Sequence, residues 1–391
     1  MTAFAGLFVP TLRSVNAELR SSHSRLCSSK DIPISPTRKI FCVVRLRGCG
    51  RFFGVPLFDT PANPCRSARE YNNGKVSKLS IVNEDGAAAA KQGKEKYWFS
   101  ALNPLIYSAA IVPSSVGAAA AFYELRKLGM ASKFSLSSAL LVMLGEVMLQ
   151  AWLNTSNDVY DSETGVDKNK HDSFVNLTGA PGKVQAVALL CLAVGFVCVY
   201  VANIRLANNG LMKLAVAGVA FGYAYQGPPF RFSYRGWGEP MTFTAFGPLS
   251  TLAASHAQLG TFSSLAFFAS LLVGFMVTSI IFAHHFPSYI DDRDHKKMTP
   301  VASLGPLKAS QVYPWAVVYP CFVTAGILLV TKLLPWQVPV GVMLTIPYAR
   351  KLLDQINAFV SGQTKSSPTK YAVLWHLAGG ILMTIGFLLA R

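Results

Sequence analysis

Apolar residues in this chain come in long unbroken runs separated by short polar connectors, not in the alternation of strands or the single stripe of a soluble amphipathic helix. A helix that crosses a bilayer needs about 20 mostly apolar residues. Nine runs meet or approach that length: 103–124, 135–154, 184–203, 210–226, 241–258, 263–285, 312–331, 334–348 and 371–390. The eighth is short and interrupted by proline. Backbone polar groups cannot be left unsatisfied in lipid, so the runs are expected to be α-helices. The expected fold is all-α, a polytopic membrane bundle of about nine transmembrane helices filling residues 97–391.

The segment before residue 97 departs from this pattern. It holds 16 Lys or Arg against 7 acids, many serines and no long apolar stretch. Acid-poor, Ser- and Arg-rich leaders have the composition of organelle transit peptides, and residues 1–80 are expected to be a transit peptide and disordered leader. About half of the net charge of +17 sits there. No folded basic domain remains without it, so no nucleic-acid partner is expected. Cys27, Cys42, Cys49 and Cys65 lie in the leader, and Cys191, Cys198 and Cys321 lie inside apolar runs, where cysteine is a small filler.

Against so apolar a background the acids stand out. Twelve follow residue 97, and eight of them fall in two short windows, 158–172 and 291–294. Ionisable groups beside a membrane are costly and mark functional sites. The first window follows the second run and the second follows the sixth, so both belong to one membrane face. The connector 225–240, "YQGPPFRFSYRGWGEP", shares that face. Loops on this side carry 13 of the 20 basic residues beyond position 97, which orients them to the cytoplasm or, in a plastid, to the stroma.

At about 100° per residue, Asn154, Asp158 and Asp161 share a narrow arc of one helix, with Asn157 at its edge. That helix is expected to end around Gly165. Lys168, Lys170, Arg231, Arg235, Arg293, Lys296 and Lys297 surround the two windows. Carboxylates alone would suit a cation. Carboxylates mixed with Arg and Lys suit a polyanion that arrives with its metal, because Mg²⁺ takes one or two protein carboxylates and completes its shell with water and phosphate oxygens. Arg and Lys then hold the remaining oxygens. A lipid-tailed diphosphate bridged by Mg²⁺ fits both signs of charge and the membrane setting.

Three motifs resemble the UbiA superfamily of intramembrane prenyltransferases: NxxNDVYDxxxGxD after the second run, GPPFRFSYRGWGEP after the fourth and DDRDHKKMTPVASLG after the sixth. The likeness spans about 97–391. It is nearest to the plant and cyanobacterial 1,4-dihydroxy-2-naphthoate branch, where the third acid follows the second by six residues, as Asp167 follows Asp161. The resemblance implies an α-helical bundle with a lipid-open central cavity and a metal–diphosphate site. It implies transfer of a phytyl group from its diphosphate to the naphthoate, with loss of the ring carboxylate, in a plastid membrane. It assigns Asn154, Asp158, Asp161 and Asp167 to the first site and Asp292 to the second. Here the second motif departs from DxxxD: Ser288 stands four residues before Asp292, and Asp291 is the neighbouring candidate ligand. Asp158, Asp161 and Asp292 are the expected catalytic acids. Asn157, Lys168, Lys170, Tyr225, Arg231, Tyr234, Arg293 and Lys297 are expected around the substrates.

Two rival readings remain on the sequence. A homogentisate or other quinone-ring prenyltransferase would share the motifs but place the third acid at Gly165. A transporter would want acids deep inside the runs, where Glu146 is the clear case. His284, His285 and His295 read as interfacial or supporting polar groups and His376 as a buried packing residue; none forms a zinc pattern. No obligate protein partner is implied.

Overall fold

The computed structural model describes residues 41–44, 53–56 and 104–391, except 171 and 172. The chain divides into two units, Met1–Ser80 and Ile81–Arg391. In the first, β1 (Phe41–Val44) pairs antiparallel with β2 (Phe53–Pro56), Phe41 opposite Pro56. Valine and phenylalanine in these two stretches favour a pleated strand. The rest of the transit-peptide segment lies outside the described residues.

The second unit is helical throughout its described residues. In order these are α1 (Ser108–Lys127), α2 (Leu136–Thr164), α3 (Pro181–Asn203), α4 (Gly210–Gln226), α5 (Gly238–Thr244), α6 (Ser250–Leu259), α7 (Ser264–Asp294), α8 (Pro306–Tyr313), α9 (Tyr319–Thr331), α10 (Gln337–Met343), α11 (Ile346–Val360) and α12 (Thr369–Leu389), with shorter turns between them. Two of the long helices open on a serine cap: Ser135 accepts from the Ser138 amide and Ser263 from the Ala266 amide.

Six helical segments are long and apolar enough to cross a membrane: Pro104–Lys127, Leu136–Thr164, Pro181–Asn203, Ser264–Asp294, Pro306–Thr331 and Thr369–Leu389. The other three expected spans are helical but shorter or broken. α4 has 17 residues. The run 241–258 passes through α5, a π-helical segment (Ala245–Leu249) around Pro248, and α6. Proline lacks the amide hydrogen of a regular helix and disturbs the turn before it, the usual origin of such an interruption. The run 334–348 divides between α10 and α11, and α11 turns Ala349, Leu352 and Ile356 inward while Arg350, Lys351 and Asp354 stay exposed. That eighth run is thus divided between two short helices, of which α11 is amphipathic.

α1, α7 and α12 supply much of the core, including the fully buried Val116, Leu272, Met276, Trp375 and Phe387. Small residues let these helices approach. A Cβ on Gly117 would stand 2.2 Å from the Thr251 carbonyl oxygen, so α1 and α6 touch only because that position is glycine. Leu189, Leu190 and Val197 on α3 and Val323, Ile327 and Val330 on α9 point outward. Exposed apolar faces on this scale mark a surface made for lipid.

Candidate active site

α2 carries its last two turns beyond the apolar run and stops where Gly165 turns left-handed, at φ +81°. Helical spacing sets Asp158 and Asp161 on the inner side of those turns, only 6% and 2% exposed. The first carboxylate is tied to the strand of chain that follows: Asp158 Oδ2 accepts from the Phe174 amide at 2.7 Å, and Oδ1 faces Lys170 Nζ at 3.3 Å.

Two loops meet at Asp161. Its Oδ1 accepts from the Tyr234 hydroxyl at 2.7 Å, out of the connector after α4. Its Oδ2 accepts from Asn157 Nδ2 at 3.0 Å and from Lys297 Nζ at 2.9 Å, out of the loop after α7. The two contributing loops are joined to each other by the Met298 amide, which donates to the Tyr234 carbonyl at 3.0 Å. Arg231 and Lys296, flanking the site, both take positive φ, +42° and +60°. Non-glycine residues hold that conformation only where their surroundings impose it.

In the second acid motif the two adjacent acids differ in burial. Asp292 is 2% exposed and accepts from Ser288 Oγ at 3.1 Å and Thr299 Oγ1 at 3.3 Å. Ser288 thus lies one turn before Asp292 on the same face, as the spacing predicts. Asp291 is half-buried and turned away, and its carbonyl accepts from the His295 amide at 3.1 Å.

Lys297 is 9% exposed, and its surroundings decide its charge. Burial works against the ammonium, but Asp161 and then Asp292 outweigh it and hold the pKa above the ordinary lysine value. Burial, with the Asp161 carboxylate beside it, raises the Tyr234 phenol, which stays a hydrogen-bond donor. Three buried carboxylates face two cations, Lys297 and the half-exposed Lys170, so the pocket carries an excess of negative charge.

The other expected residues fall into place around this centre. Asn154 lies one turn before Asp158 and accepts from Gln150 Nε2 at 3.2 Å. Arg231 reaches Glu163 at 3.0 Å on the exposed rim. Lys168 and Arg293 are exposed at the edge, and Tyr225 sits at the end of α4 beside Gly238. Asp167 lies in the 3-10 turn Val166–Asn169, but its side chain, like all of Asp172, is outside the described residues. One feature escapes motif reading: Glu239 Oε1 stands 3.1 Å from His285 Nδ1 in a buried α5–α7 contact. Its sequence signal is that Glu239 is the lone acid of the 225–240 connector.

Hard carboxylate oxygens are the donors Mg²⁺ prefers, and no three His, Cys, Asp or Glu side chains among the described residues gather to hold a metal unaided. That arrangement fits a Mg²⁺ that borrows its remaining ligands from a bound phosphate.

The UbiA prenyltransferase family model matches residues 110–364. The chain is 32% identical over 352 residues to the chloroplastic 2-carboxy-1,4-naphthoquinone phytyltransferase of Arabidopsis thaliana, covering 86% of this chain and 90% of that one. It is 32% identical to the 2-carboxy-1,4-naphthoquinone phytyltransferase of Synechocystis, covering 77% and 96%. Among solved structures, the apo UbiA homolog of Aeropyrum pernix superposes with a TM-score of 0.54 at 16% identity, over 73% of this chain and 98% of that one. The Archaeoglobus fulgidus UbiA homolog bound to DMAPP and Mg²⁺ gives 0.50 at 15% identity, over 74% and 98%.

Proposed function

Because the chain belongs to the UbiA prenyltransferase family, and is therefore a membrane prenyltransferase, we propose that it transfers a phytyl group from phytyl diphosphate to 1,4-dihydroxy-2-naphthoate or 2-carboxy-1,4-naphthoquinone. The ring carboxylate is lost in the transfer, and the product is the demethylated precursor of phylloquinone. The observation that carries this reading is the 32% identity to two phytyltransferases over most of both chains. The chloroplastic location of the Arabidopsis relative and the basic leader support a plastid membrane, with the acid cluster toward the stroma.

Asp158 and Asp161 on α2 and Asp292 on α7 would each offer a carboxylate to diphosphate-bound Mg²⁺, with Asp167 as a further expected ligand, the phosphate oxygens completing the set. When bound, the metal would neutralise the diphosphate and make it a better leaving group. The chain's own residues do the rest. Lys170, Arg231 and Lys297 supply positive charge for phosphate oxygens, the buried Lys297 most strongly because it is desolvated. Tyr234 donates toward the same centre and fixes Asp161. Asn154 and Asn157 orient the acids along α2. The apolar helices below keep water from an electron-poor allylic carbon long enough for the ring carbon to attack it.

The test is competition. Proteoliposomes are offered 1,4-dihydroxy-2-naphthoate, homogentisate and 4-hydroxybenzoate together, with phytyl or geranylgeranyl diphosphate as donor. Prenylated naphthoquinone is the expected main product. Prenylated homogentisate as the main product would remove the acceptor assignment.

A further inference from the structure

Below the acid cluster, the face of α2 that carries Asp158 continues inward through Asn154 and Gln150 to Glu146, one residue per turn. Glu146 and Gln150 line a cavity among α1, α2, α4 and α6 whose other walls are apolar: Leu149, Trp152, Leu214, Val219, Phe246 and Leu249. Ser114 and Ser250 both donate to Glu146 Oε2. Glu146 Oε1 and Gln150 Oε1 are shielded from solvent and have no hydrogen-bond partner among the described residues. Gln150 is 5% exposed, and its amide nitrogen donates up to Asn154 at 3.2 Å. A hydrocarbon wall thus holds two polar atoms that no described residue satisfies.

We propose that this cavity is the subsite for the acceptor ring, with Glu146 and Gln150 binding its oxygen substituents. The inference rests on the prenyl-transfer reading above and deepens it. An isoprenoid tail offers no hydrogen bond, and would leave both atoms orphaned. An aromatic ring with oxygens at two positions presents apolar faces to Trp152 and Phe246 and polar edges to α2. Glu146 and Gln150 are about 5–6 Å apart as helix neighbours, comparable with two oxygens placed across one ring. Leu153, the neighbour of Asn154 in the chain, also lines the cavity, which would bring the ring's reactive edge toward the diphosphate site. Ser114 and Ser250 are positioning residues that fix the Glu146 carboxyl.

Titration calorimetry of the full chain in nanodiscs with 1,4-dihydroxy-2-naphthoate, without donor or Mg²⁺, tests the assignment. Glu146→Leu and Gln150→Leu should each weaken binding about tenfold, whereas Glu146→Gln, which keeps shape and polarity, should stay within about threefold of wild type. The KM for phytyl diphosphate should not move in any of the three. The ratio of kcat/KM for the naphthoate over its monomethyl ether does not depend on the folded fraction, and it should fall in both leucine variants. Unchanged naphthoate affinity in both would mean that the pair binds water only. A raised donor KM with unchanged acceptor affinity would make the cavity a tail site; either result overturns the proposal. Failure of the wild type to prenylate naphthoate would instead strike the acceptor reading, and the same variants would then be titrated with the ring it does accept.

Discussion

Replacing Lys297 by methionine removes the one buried cation that links the two acid motifs. In the wild type its Nζ stands 2.9 Å from Asp161 Oδ2, and the residue is 9% exposed. Breaking a buried pair from one side costs about 3–5 kcal/mol, because the partner charge is stranded. Asp161 keeps two donors, Tyr234 and Asn157, so the lower end, about 3 kcal/mol, is expected. For a domain of this size that lowers the unfolding midpoint by about 5–10 °C. A divalent cation offers replacement charge, so Mg²⁺ should recover more stability in Lys297→Met than in the wild type. Turnover should still fall at least tenfold, since the phosphate loses its buried cation. The pH dependence has a definite sign. The folded-state pKa of Lys297 is raised, so its pairing energy is fully present below the unfolded lysine value near 10.4 and is lost only as pH climbs through the higher folded value. The midpoint difference between wild type and variant should therefore be flat from about pH 7 to pH 10. Thermal unfolding in nanodiscs, with and without Mg²⁺, reads all of this. A variant with the wild-type midpoint and wild-type Mg²⁺ response would refute the reasoning.

Asp292→Asn should reduce kcat more than tenfold beyond the loss in Asp291→Asn, a gap of at least about 1.4 kcal/mol, because only Asp292 is buried in the Ser288–Thr299 cradle. Ser288→Asp, which restores a DxxxD spacing, should keep or raise Mg²⁺ affinity; an inactive Asp291→Asn beside an active Asp292→Asn would reverse the register. Asp158→Asn and Asp161→Asn should each abolish turnover without loss of membrane protein, and EDTA should stop the wild type until Mg²⁺ is returned. Normal product from either variant would dismiss the metal role of that acid. A fluorescent protein fused behind residues 1–90 should enter plastids of a plant cell, and a fusion left in the cytosol would dismiss the transit segment.

The sequence by itself determined the class and the chemistry. Long apolar runs have one stable solution in lipid, the helix, so the all-α membrane bundle was legible without any knowledge of packing. The arc joining Asn154, Asp158 and Asp161 was legible too, because helical periodicity is local, and so was the shared face of Ser288 and Asp292. Span counting was less secure: the breaks at Pro248 and between α10 and α11 depend on how each segment meets its neighbours. Only the tertiary structure decided which charges act together. Lys297 was one of seven basic residues around the windows, equal on sequence to Lys168 or Arg293. Packing buried it against Asp161, 136 positions away, set Lys170 half-exposed against Asp158 and left the others at the rim. The same holds for Glu239 beside His285 and for Glu146 between Ser114 and Ser250. Periodicity places a side chain on a face of its own helix. Which partner it finds there, and how much water it loses, is set by contacts between segments far apart in the chain.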